Sequence, residues 1–336
     1  MIKEAIARLV EGKDLMPDVM KQAMEEIMTG KATPAQIAAF LLGLRLKGET
    51  VEEITACAEV MRKHVTKIKS KERTLLDTCG TGGDEAGTFN ISTISALAVC
   101  GAGVTVAKHG NRSVSSKCGS ADLLIELGVK VDIDPQRIEE CLAEIGFGFL
   151  YAPLLHKAMK YATPVRREMG IRTIFNILGP LTNPAGADCQ LLGVYAPGLT
   201  EVLAKVLKNL GSRHILVVRG EDGLDEVTTT GRTQISELKE GRIKTYKIHP
   251  SKFGLKKASP QDLKGGDAAF NAGIALDILK GKGGPRRDIV LLNAGCAIYT
   301  VNRAASIREG IVMAAESIDT GEALKKLELL KEFTNK

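Results

Sequence analysis

From Arg73 onward the chain alternates short apolar runs with segments of helical apolar spacing, the pattern of a sheet built largely from crossover units. The apolar runs are Leu75-Leu76, Val104 to Ala107, Phe147 to Leu150, Leu191 to Tyr195 and Ile215 to Arg219. Helices are expected at 94–101, 120–127, 135–145, 198–210, 267–280 and 286–298, with Gly128, Gly146, Gly211 and Gly281 as stops. The residues before Arg73 read as helix only. Thr33-Pro34-Ala35-Gln36 and Thr50-Val51-Glu52-Glu53 both fit capping boxes, and Met20, Met24 and Met28 form a stripe that fills a core. A chain of 336 residues with 44% hydrophobic content supports more than one core. The expected fold is therefore α/β, a largely parallel sheet flanked by helices, with a smaller all-helical domain at 1–70 and the α/β domain at 71–336. The stretch 153–175 returns to helical spacing with a break at Pro164 and is expected to pack on the helical domain, leaving a cleft between the lobes.

Two segments that follow apolar runs carry the chemistry. Gly80-Thr81-Gly82-Gly83-Asp84 lets the backbone approach a ligand closely and turns peptide N–H groups toward an anion. If a helix starts between Asn90 and Ser95, its unpaired N–H groups and positive dipole end face the same pocket. A tight strand-to-helix turn without a ligand fits the same glycines. The second segment, Lys108 to Asp122, combines Lys108, His109, Arg112 and Lys117 with serines, Asn111 and two glycines, a composition that suits a polar binding loop or a solvated surface loop. Two such loops at neighbouring strand ends suggest one ligand bearing more than one phosphate.

Further along, Asp225-Glu226 stand in the turn that follows Ile215 to Arg219, where adjacent carboxylates suit either magnesium or a solvated turn. Arg166 and Arg167 follow Pro164, and a planar guanidinium matches a carboxylate with two parallel hydrogen bonds.

Taken together, Gly80-Thr81-Gly82-Gly83-Asp84, Asn90-Ile91-Ser92-Thr93, Lys108-His109-Gly110-Asn111-Arg112, Gly179-Pro180-Leu181-Thr182-Asn183-Pro184 and Gly223-Leu224-Asp225-Glu226 resemble the ordered signature set of the anthranilate phosphoribosyltransferases. The resemblance implies transfer of a phosphoribosyl group from its diphosphate to the amine of anthranilate, a step of tryptophan biosynthesis. It implies substrate contacts at Gly80, Gly83, Asp84, Thr88, Asn90, Ile91, Ser92, Thr93, Lys108, His109, Gly110, Asn111, Arg112, Ser115, Ser116 and Ser120. It also implies magnesium (Mg2+) as cofactor at Ser92, Asp225 and Glu226, and anthranilate recognition by Arg166, with Arg167 its neighbouring alternative. No residue stands out as an essential general base; His109, the one histidine within a motif, is the only candidate. The resemblance further suggests a homodimer through the helical lobe.

Composition narrows the rivals. A net charge of +6, from 46 basic and 40 acidic residues, suits a polyanionic small molecule and is too weak for nucleic acid; 4% aromatic residues and no tryptophan leave few stacking platforms. Seven dispersed cysteines without a Cys-x-x-Cys pair point to reduced thiols. The absence of a long apolar run or a cleavable leader adds the expectation of a cytoplasmic protein with no membrane partner. A pyrimidine nucleoside phosphorylase-like enzyme would need no paired carboxylates for magnesium. A non-catalytic nucleic-acid-binding relative would need a stronger basic face.

Overall fold

The computed structural model describes residues 1–84, 86–113 and 117–336. Its first region is helical throughout: α1 (Ile2–Val10), α2 (Pro17–Met28), α3 (Pro34–Lys47) and α4 (Val51–His64). Both expected capping boxes form. Thr33 Oγ1 accepts from the Gln36 N–H and Gln36 Oε1 from the Thr33 N–H, and Thr50 and Glu53 do the same, so the first turns of α3 and α4 satisfy their exposed donors locally. Glu53 does more than cap. Fully buried, it also accepts from the Leu15 N–H at 2.9 Å and pairs with Lys47 Nζ at 2.9 Å, tying the α1–α2 connection to α3 and α4. Met20, Met24 and Met28 lie in the core between these helices.

After α4 the chain alternates as expected: β1 (Leu76–Gly80), α5 (Ile91–Gly101), β2 (Val106–Gly110), α6 (Ser120–Glu126), α7 (Pro135–Glu144) and β3 (Phe147–Tyr151). Short helices α8 (Ala152–Leu155), α9 (Thr163–Met169) and α10 (Phe175–Leu178) then lead to β4 (Cys189–Gly193), α11 (Leu199–Asn209) and β5 (His214–Gly220). A hairpin, β6 (Thr233–Lys239) and β7 (Arg242–Ile248), precedes α12 (Ala268–Leu279), α13 (Pro285–Thr300), α14 (Ile307–Asp319) and α15 (Glu322–Asn335). All five expected strands and six expected helices form, and Gly128, Gly146, Gly211 and Gly281 all carry positive φ after a helix. The hairpin and the last two helices go beyond the sequence expectation. The hairpin turns at Glu240 and Gly241, both with positive φ, the geometry that matches strand twist in a two-residue loop. Arg242, Lys244, Thr245 and Lys247 stand exposed along the outer strand β7.

The sheet order is β3-β2-β1-β4-β5-β6-β7, with parallel pairing from β3 to β5 and antiparallel pairing beyond. Alternate residues of the central strands feed opposite faces. Leu191, Leu216 and Val218 join the core under α5 and α12 to α15, while Leu192, Ile215 and Val217 join a second core with α11 and the amino-terminal helices. That second core also takes in Ala162, Val165, Ile174 and Phe175, so the stretch around α9 and α10 packs on α2, α3 and α4. Because the chain runs outward from β1 to β3 and then resumes on the other side of β1 at β4, the direction of winding reverses between β1 and β4. Open parallel sheets gather ligands in the crevice at such a reversal.

A histidine pair fastens the end of β2 to the segment after β3. His109 Nδ1–H donates to the Gly179 carbonyl at 3.1 Å, which leaves its Nε2 lone pair to accept from His156 Nε2–H, also at 3.1 Å. Burial, together with His156, pulls His109 down to about 3, and burial pulls His156 down to about 4. The unfolded chain therefore takes up these protons near its ordinary 6.5 while the folded chain refuses them, so stability falls as pH drops below that value. Urea midpoints measured from pH 6.5 to 5 should decline, and His156→Gln should flatten the decline; an unchanged slope in the variant would remove the histidines as its cause. Glu53→Ala, which strands three donors, should cost about 3 kcal/mol in the same assay.

Candidate functional site

The crevice between β1 and β4 is roofed by the loop from β5 to β6. Gly80 and Gly193 are register partners at the two strand ends. A Cβ on Gly80 would lie 2.3 Å from Asp225 Oδ2, and one on Gly193 would lie 1.5 Å from the Asp225 carbonyl oxygen. Both positions are thus glycine because Asp225 rests directly on the strand ends. In the sequence alone Gly80 reads as part of a phosphate cradle, and Gly193 goes unnoticed inside the apolar run Leu191 to Tyr195.

The Gly80 to Asp84 turn closes over the same point. Gly82 and Gly83 have φ of 66° and 75°, where a side chain would be strained, and the Gly82 N–H donates to Asp225 Oδ2 at 2.8 Å. The Thr81 N–H donates to the Gly193 carbonyl at 2.9 Å, and Thr81 Oγ1 accepts from the Tyr195 N–H. Arg172 donates to the Gly83 carbonyl and stacks over the Tyr195 ring at 4.5 Å, joining the segment after α9 to the turn. Asp84 faces Asp225, and its Oδ1 accepts from the Ala86 N–H.

Below the turn, the start of α5 and the end of β2 supply the opposing groups. Glu226 faces the Ser92 backbone, and Ser92 Oγ accepts from Lys108 Nζ at 3.3 Å. Lys108 is buried and also donates to the Thr78 carbonyl, so it braces β1 and α5 from beneath the pocket. Burial pushes Lys108 down, against the attraction of Asp77, Cys79 and Glu226. Burial and the Asp84 charge push Asp225 up to about 7, with the Gly82 N–H opposing. Glu226 rises well above its ordinary value through burial and Asp225, with Lys108 opposing. Lys108 thus opposes the rise of Glu226, whereas Asp225 is opposed by backbone N–H groups, and three acidic side chains crowd one pocket.

The remaining expected positions divide between pocket and scaffold. Asn90 Nδ2 donates to the Cys118 carbonyl and Asn90 Oδ1 accepts from Asn271 of α12, so its side chain joins the two loops. Thr88 bridges to Lys264, Ile91 is buried in the core with its N–H bonded to Phe89, and Thr93 is buried with a hydroxyl that finds no partner among the described residues. Gly110 is required by Ser120 Oγ and the Phe149 ring, which a Cβ would meet at 2.4 and 2.7 Å. Ser120 Oγ donates to the Asn111 carbonyl, and Asp122 Oδ2 accepts from the Ser113 and Gly119 N–H groups, folding the second loop onto α6. Asn111 and Arg112 remain exposed. Ser115 and Ser116 lie outside the described residues. His109 has both ring nitrogens engaged, an arrangement that leaves no free lone pair for proton abstraction.

Arg166 is half-buried in the last turn of α9, with its guanidinium 5.3 Å from the centre of the Phe175 ring. Burial alone pulls it down, and no carboxylate among the described residues pairs with it, whereas Arg167 is exposed. A half-buried guanidinium with no carboxylate partner among the described residues has the chemistry to accept one.

Comparison with known proteins agrees with this architecture. Residues 3–65 match the glycosyl transferase family, helical bundle domain, and residues 72–324 match the glycosyl transferase family, a/b domain. Anthranilate phosphoribosyltransferases of Pelobacter propionicus and Pelotomaculum thermopropionicum are 54% and 55% identical, covering 99% of this chain in each case and 99% and 97% of the relatives. The crystal structure of anthranilate phosphoribosyltransferase from Thermus thermophilus superposes with a TM-score of 0.94 at 42% identity, covering 99% of both chains. The enzyme of Saccharomyces cerevisiae, in complex with PRPP and Mg, superposes at 0.90 with 28% identity over 99% of this chain and 98% of its own. With two family models spanning the fold and close relatives matched end to end, the chain belongs to the anthranilate phosphoribosyltransferase family.

Proposed function

We propose that this chain transfers the phosphoribosyl group of phosphoribosyl diphosphate to the amine of anthranilate, releasing pyrophosphate, at the crevice between β1 and β4. The observation that carries the reading is the meeting of the glycine turn, Asp225 and the Ser92–Lys108 pair at the ends of adjacent parallel strands. In the reaction the amine lone pair attacks C1 of the ribose as the bond to diphosphate breaks. Positive charge develops on the sugar and negative charge on the leaving group. The glycine turn and the positive end of α5 lie at the same crevice, where they favour that negative charge.

The pocket fits a hard divalent cation. Asp225, Glu226 and Ser92 Oγ offer oxygens only, and burial together with a neighbouring carboxylate raises both carboxyls, a cost that a bound cation would relieve. Among the described residues no three His, Cys, Asp or Glu side chains enclose a cation by themselves, so water and substrate oxygens would complete its shell, as magnesium prefers. Magnesium held there would supply positive charge against the departing diphosphate. Lys108 sets Ser92 from below, and Asn111, Arg112 and Ser120 line the second loop for the remaining phosphate.

Arg166 receives the anthranilate carboxylate and turns the amine toward the sugar, which contributes positioning. An arylamine can attack before losing its proton, so the reaction proceeds without a protein base. We further infer a cytoplasmic homodimer through the helical region, where Val10, Met16, Leu42 and Leu46 of α1, α3 and the α1–α2 connection stand exposed. No described helix is long and apolar enough to cross a membrane.

Loss of anthranilate fluorescence in the presence of magnesium and phosphoribosyl diphosphate tests the activity directly. Asp225→Asn combined with Glu226→Gln should lower turnover by about a hundredfold or more while the thermal midpoint holds; full turnover in that variant would remove the metal assignment. Arg166→Ala should raise the Michaelis constant for anthranilate by about tenfold or more with a smaller change for phosphoribosyl diphosphate, and an unchanged constant would transfer the role to another group.

A further inference from the structure

The acidic pair has no side-chain support from the strands it rests on, and its direction is decided elsewhere. α13 is an apolar helix: Ile289, Val290, Leu292, Ala294 and Cys296 are all fully buried around Asn293, which is itself inaccessible to solvent. A primary amide in such surroundings is costly unless bonded. Asn293 is bonded almost to capacity. Its Oδ1 accepts from the Val227 N–H at 2.9 Å, and its Nδ2 donates to the Val227 carbonyl at 2.8 Å and to the Ile289 carbonyl at 2.9 Å. One side chain thus pairs with both polar groups of the residue that follows Glu226, in the way a neighbouring strand would. The other flank of the loop is closed by Asp222, which accepts from the Leu224 N–H and from the Thr228 and Thr230 hydroxyls.

We propose that Asn293 is a positioning residue for the reaction: by gripping Val227 from α13, it sets the backbone so that Asp225 lies across Gly80 and Gly193 and Glu226 faces the start of α5. The inference rests on the metal reading of the acidic pair given above. Asn293 touches no reacting group. Its effect passes through the direction of the two carboxylates, and only a side chain that both donates and accepts at that point reproduces it. Aspartate keeps the shape and the acceptor but loses the donor; leucine keeps the volume and loses both.

The test compares Asn293→Asp and Asn293→Leu with Ser317→Ala, which deletes a buried hydroxyl-to-carbonyl bond from α14 to α5 away from the loop. Binding of manganese ion to the folded, substrate-free protein is followed by the paramagnetic resonance signal of the free ion, together with thermal midpoint, kcat and both Michaelis constants. Both Asn293 variants should weaken ion binding and lower kcat by about tenfold or more, with the anthranilate constant within about twofold and Ser317→Ala close to the parent in ion binding. Should Asn293→Leu not fold, Asn293→Asp decides. A folded Asn293 variant with ion binding and kcat like the parent overturns the proposal, provided that Asp225→Asn with Glu226→Gln abolishes binding. Equal binding by that double variant and the parent instead removes the metal reading, and this proposal with it.

Discussion

Everything at the crevice between β1 and β4 depends on how closely the β5–β6 loop can lie on the ends of two parallel strands. Asp225 is in contact with Gly80 and Gly193 at distances no side chain would permit, so the absence of two Cβ atoms is what allows an acidic residue to sit at the centre of the winding reversal. Once there, its carboxylate captures the Gly82 N–H and orders the glycine turn. The turn in turn places Gly83 for Arg172, which leads back toward Arg166 on α9. Groups expected to hold the two substrates are therefore joined by one short chain of contacts that begins with a steric fact.

Electrostatics gives that geometry its purpose. Burying carboxylates beside each other is unfavourable, and it pushes Asp225 and Glu226 above their ordinary range. The buried lysine beside them answers only part of it, because Lys108 is shared with Asp77 and held by the Thr78 carbonyl and Ser92. The protein tolerates the imbalance since the fold is anchored elsewhere, in two apolar cores on opposite sheet faces. Such local conflict against a consistent background marks functional sites.

Much of this was legible beforehand, and the gaps have physical causes. Apolar runs buried on both sheet faces announced β1 to β5, and capping boxes announced α3 and α4, because each signal is local. The β6–β7 hairpin escaped notice because its strands mix polar and apolar residues and its turn uses Glu240 where Asn or Asp is the usual signal. Asp225-Glu226 and the glycine turn stood out as motifs, but their contact across about 140 residues of sequence did not. Gly193, Arg172 and Asn293 were hidden for the same reason: each has a partner far away in the chain, and nothing in its own neighbourhood reveals it. His109 stood as a candidate base only by its place in a motif, and His156 and the Gly179 carbonyl occupy both of its nitrogens.

The unpaired rim of the sheet at β7 bears Arg242, Lys244 and Lys247. Like charges strung along an open row of peptide groups repel a matching row from another molecule, so the sheet stops at this margin instead of growing into a ribbon of stacked copies. An edge charged in this way disfavours fibrous aggregation in crowded solution.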